Sequence, residues 1–419
     1  MTNFETWFRE HSELSRRYFF QLGGVAAAAW SASPLAAADR AADPRLQEAI
    51  AQLGYLTPPE RVNFLDKGKS GAAKLPPETL REVGLIPETW SLEVVPDPAS
   101  DCLVEQPLSR AAGKALNWNG LMKLAETHAV RFLHVCVCTN GVDPFHMTLW
   151  EGVPLREVIW LTRPKGNIRR VYYQSYHPEN VPSFQGSLPL GQVLETPPGQ
   201  SPVILAYKMN GQLMPAAHGG PVRMVVPGTY GSHSVKWVQR VVLTDDYRAN
   251  DSDAAEFNND AESALKTRAR FINAPKEAAP NTPVALTGMA QIGISGLAKV
   301  QYCVHSQKDP WPAEGPDWSK VEWKDAAVLP PPADWGGGLP GGKLPADTSQ
   351  MDPKTGKPSQ WPIPFTIAHW AALAPGMLAG SYDLCCRTID GNCIAQPMPR
   401  PLLRTGFNAM HRVTLVVKG

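Results

Sequence analysis

The chain has 419 residues, 40 of them basic and 39 acidic, for a formal net charge of +1. That balance excludes a general nucleic-acid binder, which carries a basic excess or a basic stripe, yet leaves room for a local anion pocket. Beyond the N-terminal segment, no stretch has the length and apolarity of a membrane span.

Ser15-Arg16-Arg17-Tyr18-Phe19-Phe20 precedes an apolar segment from Leu22 to Trp30, and Ala36-Ala37-Ala38 precedes Asp39. A charged region, an apolar region and a small-residue cleavage site make a targeting signal, and paired arginines point to the bacterial twin-arginine route. The apolar core is too short to act as a stable membrane anchor. The expectation is an exported, periplasmic protein with a signal peptide over 1–38. Its removal leaves 381 residues, enough for two domains or one large one.

Composition and spacing predict a helix over 45–53, a Gly/Lys/Pro loop over 67–77, a strand over 90–95 and a helix over 119–127. An apolar strand follows, carrying His134, Cys136 and Cys138 into the turn Thr139-Asn140-Gly141. Residues 153–160 read as a helix, and 170–176 and 203–207 as strands, the second turning at Asn210-Gly211. Strands over 224–226 and 234–238 complete this half. The polar stretch 245–283 marks a boundary or linker. From Val284 onward, short alternating runs broken by Pro and Gly suggest a β-sandwich, with the clearest strands over 298–304 and 411–417. Residues 330–343, rich in Pro and Gly, form a long loop suited to an interface.

Seven cysteines occur, at 102, 136, 138, 303, 385, 386 and 393. An odd number leaves one unpaired, and metal ligation is one reason to keep a free thiol in an exported protein. A disulfide among Cys303, Cys385, Cys386 and Cys393 fits an oxidising compartment, although the sequence does not give the pairing. No Cys-x-x-Cys-His occurs, so no covalent haem site is indicated, and no zinc-ribbon or iron–sulfur spacing is present. A soft thiolate at the end of a strand suits a metal, which points to an exported redox enzyme with a metal cofactor.

Several short motifs occur in order: Trp150-x-Gly-Val-Pro-Leu155, Ser187-Leu-Pro-Leu190, Leu205-Ala-Tyr-Lys-Met-Asn-Gly211, Pro215, His218-Gly219, Pro221-Val-Arg223, Val226-Pro-Gly228, Gly231 and Ser234-Val-Lys-Trp237. With them the chain resembles the sulfite oxidase family of molybdopterin enzymes. The C-terminal half offers fewer matches: Trp318, Trp323, Trp370, Arg387 and the closing strand. The resemblance implies an α+β molybdopterin-binding domain of sulfite oxidase type over 39–265. It implies a linker over 266–282 and an immunoglobulin-like β-sandwich that dimerises over 283–419. A homodimer follows from the same resemblance.

The implied cofactor is molybdenum held by molybdopterin and one cysteine thiolate. Cys138, before the small-residue turn, fits the family's place best. Cys136 is its competitor, because side chains on a strand repeat every two residues. His218, Arg223, Ser234 and Lys236 match where the family holds the pterin and its phosphate, a group that arginine can bind with two parallel hydrogen bonds. Asn140 and His134 are candidates to support the cofactor, and Trp237 to pack beneath it. Tyr207 matches the family tyrosine near the metal oxo group, where a hydroxyl could assist proton movement.

Two departures bear on the substrate. The family's Arg-Asn-His segment, whose arginine helps bind sulfite, has no clean match; Arg61, Lys67 and Lys69 are the nearby cations. The turn after Cys138 carries Asp143 and His146 where the family has basic residues, with His177 and His233 as further polar candidates. The leading expectation is oxidation of sulfite or a related small sulfur compound, with electrons passed to a separate c-type cytochrome or other carrier. The alternatives are a molybdopterin-dependent reductase of S- or N-oxides, and an exported binding or scaffold protein.

Overall fold

The computed structural model describes residues 43–58, 60, 71–137, 146–179, 183–248, 264–311, 321–396 and 410–419. The expected signal peptide lies outside them, as do Arg61, Lys67, Lys69, Cys138, Asn140, Asp143 and Trp318. Among the described residues, no helix is long and apolar enough to cross a membrane.

Helix Pro44–Ala51 starts where expected, with proline in its first turn and the Asp43 carboxylate accepting from the Arg45 amide at 2.9 Å. Helix Trp118–His128 is capped in the same way, Asn117 accepting from the Gly120 amide at 2.9 Å. The helix expected over 153–160 is Leu155–Leu161, because Val153 and Pro154 still belong to strand His146–Pro154.

Two sheets build the first half. One has five strands in the order Leu116–Asn117, Ser91–Pro96, Val238–Thr244, Arg170–Ser175, Gln185–Pro189. In the other, Val130–Cys136 pairs with His146–Pro154, which pairs with Ile204–Met209; that strand carries both the Gln212–Leu213 hairpin arm and Arg223–Val225. The hairpin turns at Asn210 and Gly211, with φ of +49° and +79°, as an Asn-Gly turn between twisted strands requires.

The two faces of the second sheet differ. Leu205, Tyr207, Met224 and Val226 turn towards the first sheet and join its core with Leu92, Val171 and Val241. Phe132, Trp150, Ile204, Ala206 and Val225 turn the other way, and Cys136 packs at their margin. This alternation puts Tyr207 and Cys136 on opposite faces.

The strand expected over 234–238 begins only at Val238. Val235 and Trp237 use their backbone groups on single contacts: the Met224 amide donates to the Val235 carbonyl, and the Trp237 amide to that of Gly219. The segment 266–282, expected as a linker, instead holds strand Arg268–Asn273, paired antiparallel with Val284–Gln291, and the short strand Glu277–Ala278. Arginines at 268 and 270 hide the alternation of Ala269 and Phe271 into the core.

The second half is one eight-stranded sheet curled into a β-sandwich. Lys324–Val328 pairs with Lys299–Ser306 on one side and Ile367–Ala374 on the other, so the sheet turns back on itself. Phe271, Leu286 and Trp370 then face Tyr302, Leu384 and Leu415 across an apolar core.

The long loop expected over 330–343 does lie at an interface. Trp335, Leu339, Ile363 and Phe365 pack on Leu133, Val135, Val137 and Met147, the apolar face of the cysteine-bearing hairpin. Burying each large side chain there contributes about 1.5–3 kcal/mol. Val130–Cys136 is the edge of its sheet, and the same segment covers that edge: Val135 donates to the Phe365 carbonyl at 2.9 Å and Ser349 to that of Arg131 at 2.7 Å.

Candidate functional site

The Arg223 guanidinium is the centre of the site. Arg223 opens strand Arg223–Val225 and is buried. Its Nε donates to the Ser234 carbonyl at 3.0 Å and Nη1 to the His218 carbonyl at 3.3 Å, while Nη2 lies 3.5 Å from the Cys136 sulfur. Its other neighbour is the Trp150 ring, whose centroid is 5.4 Å from Cζ. Among the described residues no carboxylate pairs with it. A buried cation without an anion is costly, so this arrangement invites one.

The loop around it is shaped by close approaches. Gly219 has φ of +99°, and a Cβ there would stand 2.7 Å from the Lys236 side chain. A Cβ at Gly231 would stand 3.1 Å from the Cys136 sulfur. The Ser234 hydroxyl accepts from the Val226 amide at 3.2 Å. Lys236 is half-buried, its Nζ 5.4 Å from the centroid of Trp237. Trp237 itself donates to the Ala216 carbonyl at 2.6 Å, which fixes it as packing support.

His134 is buried beside this cluster. Its Nε2 accepts from the Gly228 amide at 3.2 Å, so Nδ1 carries the proton. Burial first, and the Arg223 charge second, push its pKa down to about 3, so the ring is neutral. Its Nδ1, Trp150 Nε1 and Ser232 Oγ are buried without hydrogen-bond partners among the described residues. Such atoms are rare in native proteins and call for an explanation, such as a group bound against them.

The structure therefore brings Cys136, His134, His218, Arg223, Ser234 and Lys236 onto neighbouring segments. Cys138 and Asn140 lie outside the described residues. His146 is placed opposite Cys136 across the hairpin, and burial pushes it down to about 4. His233 is buried and its carbonyl accepts from the Tyr173 hydroxyl at 2.9 Å, whereas His177 is exposed and its ring lies 3.2 Å from the Pro178 carbonyl.

Tyr207 is not part of this cluster. On the opposite sheet face its hydroxyl donates to Glu151 Oε1 at 2.9 Å, and its ring meets Trp118 edge-on. Glu151 also accepts from Lys208 at 2.9 Å and from Arg131 at 2.7 Å, and Arg131 pairs in turn with Asp347 from the C-terminal half. Burial, and then Glu151, raises the Tyr207 phenol far above its ordinary value. Burial works against the ionised Glu151, but its three donors outweigh it and hold the carboxyl below its usual range. The described contacts give the Tyr207 hydroxyl a structural partner in Glu151.

Sequence reading missed Glu151 and Phe365. Glu151 left a signal, a lone carboxylate in an apolar strand. Phe365 left none, because its contact with the hairpin is made across more than two hundred residues of chain.

The donor set fits a molybdenum–molybdopterin group: a soft thiol, a buried guanidinium with no carboxylate partner among the described residues, Lys236 beside glycine turns, and buried donors without partners among those residues.

Comparison with known proteins agrees. Residues 80–251 match the oxidoreductase molybdopterin binding domain family. Nitrate reductase [NADH] 2 of Phaseolus vulgaris is 35% identical over 105 residues, 23% of this chain and 11% of that protein. Nitrate reductase [NADPH] of Neurospora crassa is 34% identical over 108 residues, 25% of this chain and 11% of that protein. The match thus spans about a tenth of the length of these relatives. The sulfane dehydrogenase SoxCD of Paracoccus pantotrophus has a similar fold, with a TM-score of 0.57 at 16% identity, over 87% of this chain and 82% of that one.

Proposed function

We propose that this chain, which carries a molybdopterin-binding domain like that of the sulfite oxidase family, is a molybdopterin-dependent oxidoreductase. From that premise we propose that it oxidises sulfite or a related small sulfur compound and passes the electrons to a separate carrier, a c-type cytochrome. The observation that carries this reading is the buried Arg223 cation, anchored on two carbonyls, touching a thiol and unmatched by any carboxylate among the described residues. The fold shared with a sulfane dehydrogenase, over most of both chains, supports a reduced sulfur substrate.

In this reading Arg223 and Lys236 neutralise the cofactor phosphate, and the Ser234–Lys236 and His218–Gly219 turns hold the pterin. Cys138 is the metal ligand. Cys136, beside the same guanidinium, is the thiol that supports it. The bound molybdenum supplies two-electron oxygen-atom transfer. Neutral His134, locked by the Gly228 amide, presents a fixed N–H donor rather than a charge. The twin-arginine segment around Arg16 and Arg17 supports export to the periplasm, and the C-terminal sandwich supports a homodimer.

Protein loaded with one molybdenum per chain should reduce cytochrome c, or an artificial acceptor, rapidly and saturably with sulfite or a sulfane donor. Silence with all such donors, and oxidation of a reduced dye by nitrate or sulfoxides instead, would overturn the proposal. It would favour the reductase reading that the nitrate reductase relatives support.

A further inference from the structure

Strands Lys299–Ser306 and Gly380–Ile389 run antiparallel at the centre of the sandwich sheet, and Cys303 stands directly opposite Cys385. Opposed residues of an antiparallel pair have Cα atoms about 4.5–5.5 Å apart. A disulfide accepts about 4.4–6.8 Å. Val300, Tyr302, Leu384 and Cys386 face the sandwich core, so Cys303 and Cys385 share the other face. Both are 1% exposed, and both are free thiols.

The same register rejects the other pairings. Cys386 points into the core opposite Tyr302, Cys393 sits in a turn beyond the strand, and Cys102 belongs to the other half of the molecule. We propose that Cys303 and Cys385 are a disulfide site that staples the two central strands of the sandwich. The two thiols lose two protons and two electrons as the S–S bond forms. A disulfide oxidant, such as oxidised glutathione or a dithiol–disulfide catalyst, takes them up and leaves as two thiols.

The site is sealed by neighbours on the same face. Trp311 donates to Asp383 at 2.7 Å, Arg412 stacks on Trp311, and Arg387 lies 3.9 Å over Trp323. The hydrogen bond that the Cys385 thiol shares with Cys303, and then burial, hold that thiol far above its ordinary pKa. Exchange runs through the thiolate, so the bond forms slowly in the folded chain and resists reduction afterwards. The inference rests on the export reading only for the source of the oxidant.

The test is peptide mapping of holoenzyme from the periplasm, denatured and alkylated without reductant. A linked peptide joining Cys303 to Cys385, lighter by two hydrogens, with Cys386 and Cys393 singly alkylated, is the expected result. A link from either residue to Cys386 or Cys393 would overturn it. A second arm incubates cytoplasmic holoenzyme with excess oxidised glutathione for hours, and so separates a failure of export from a failure of the pair. Cys303 and Cys385 alkylated in both arms would sink the proposal. As a further check, reductant should lower the Tm of oxidised wild type by about 5–10 °C and leave the Cys303→Ala/Cys385→Ala variant unmoved. Equal shifts in both would count against the site.

Discussion

Two charged clusters lie on opposite faces of one sheet and differ in a single respect. Around Glu151, each charge has a partner: Arg131, Lys208 and Tyr207 converge on the carboxylate, and Asp347 answers Arg131. Around Arg223 no carboxylate answers among the described residues, and buried donors on His134, Trp150 and Ser232 have no hydrogen-bond partner there. A compensated cluster is architecture, here tying the cysteine hairpin to the C-terminal half. The uncompensated one is the candidate binding site. Proximity to a family motif does not separate the two, since Tyr207 and Arg223 both stand in motif segments.

Five substitutions would break or sharpen that contrast. The largest effect is expected at the cysteines: Cys138→Ser should cut turnover about a hundredfold or more, and Cys136→Ser by roughly tenfold, as loss of a supporting group does. Steady-state kinetics normalised to bound molybdenum reads the difference, and the reverse order would make Cys136 the ligand. Next, Glu151→Ala strands Arg131 and Lys208 and should cost about 3 kcal/mol in denaturant unfolding, with cofactor content per folded chain unchanged.

A third prediction moves to the sandwich. Burial pushes His369 down to about 4 from its ordinary 6.5, so between those values the unfolded chain takes up a proton that the folded one refuses. Stability is therefore fully present above pH 6.5 and is lost as pH falls towards 4, by up to about 3 kcal/mol. In His369→Gln the slope of stability against pH in that window should flatten; an unchanged slope would assign the acid sensitivity elsewhere. The smallest effect belongs to Tyr207→Phe, which should lose about 1 kcal/mol of stability, the worth of one hydrogen bond, and keep turnover within about twofold. A large fall in kcat at full molybdenum loading would return Tyr207 to the chemistry.

Much of the first half was legible because its signals are local. Asp43 and Asn117 cap helices, and Asn210-Gly211 closes a hairpin. The motif from Leu205 to Trp237 locates the turns around the candidate site. What failed depends on partners remote in sequence. Residues 234–237 look like a strand but find no neighbouring strand, and 268–273 looks like a linker until Val284–Gln291 pairs with it. The face occupied by Tyr207 is set by register across Glu151 and Gly152, where the pairing shifts by a bulge, and no single-strand pattern reveals that.

The most direct test of the contrast is molybdenum and pterin per folded chain in Arg223→Met and Glu151→Gln, prepared side by side in a cofactor-competent host. The account predicts an empty Arg223→Met protein that still folds and a fully loaded Glu151→Gln protein of lower stability. A loaded Arg223→Met protein, or equal loss from both, would contradict it.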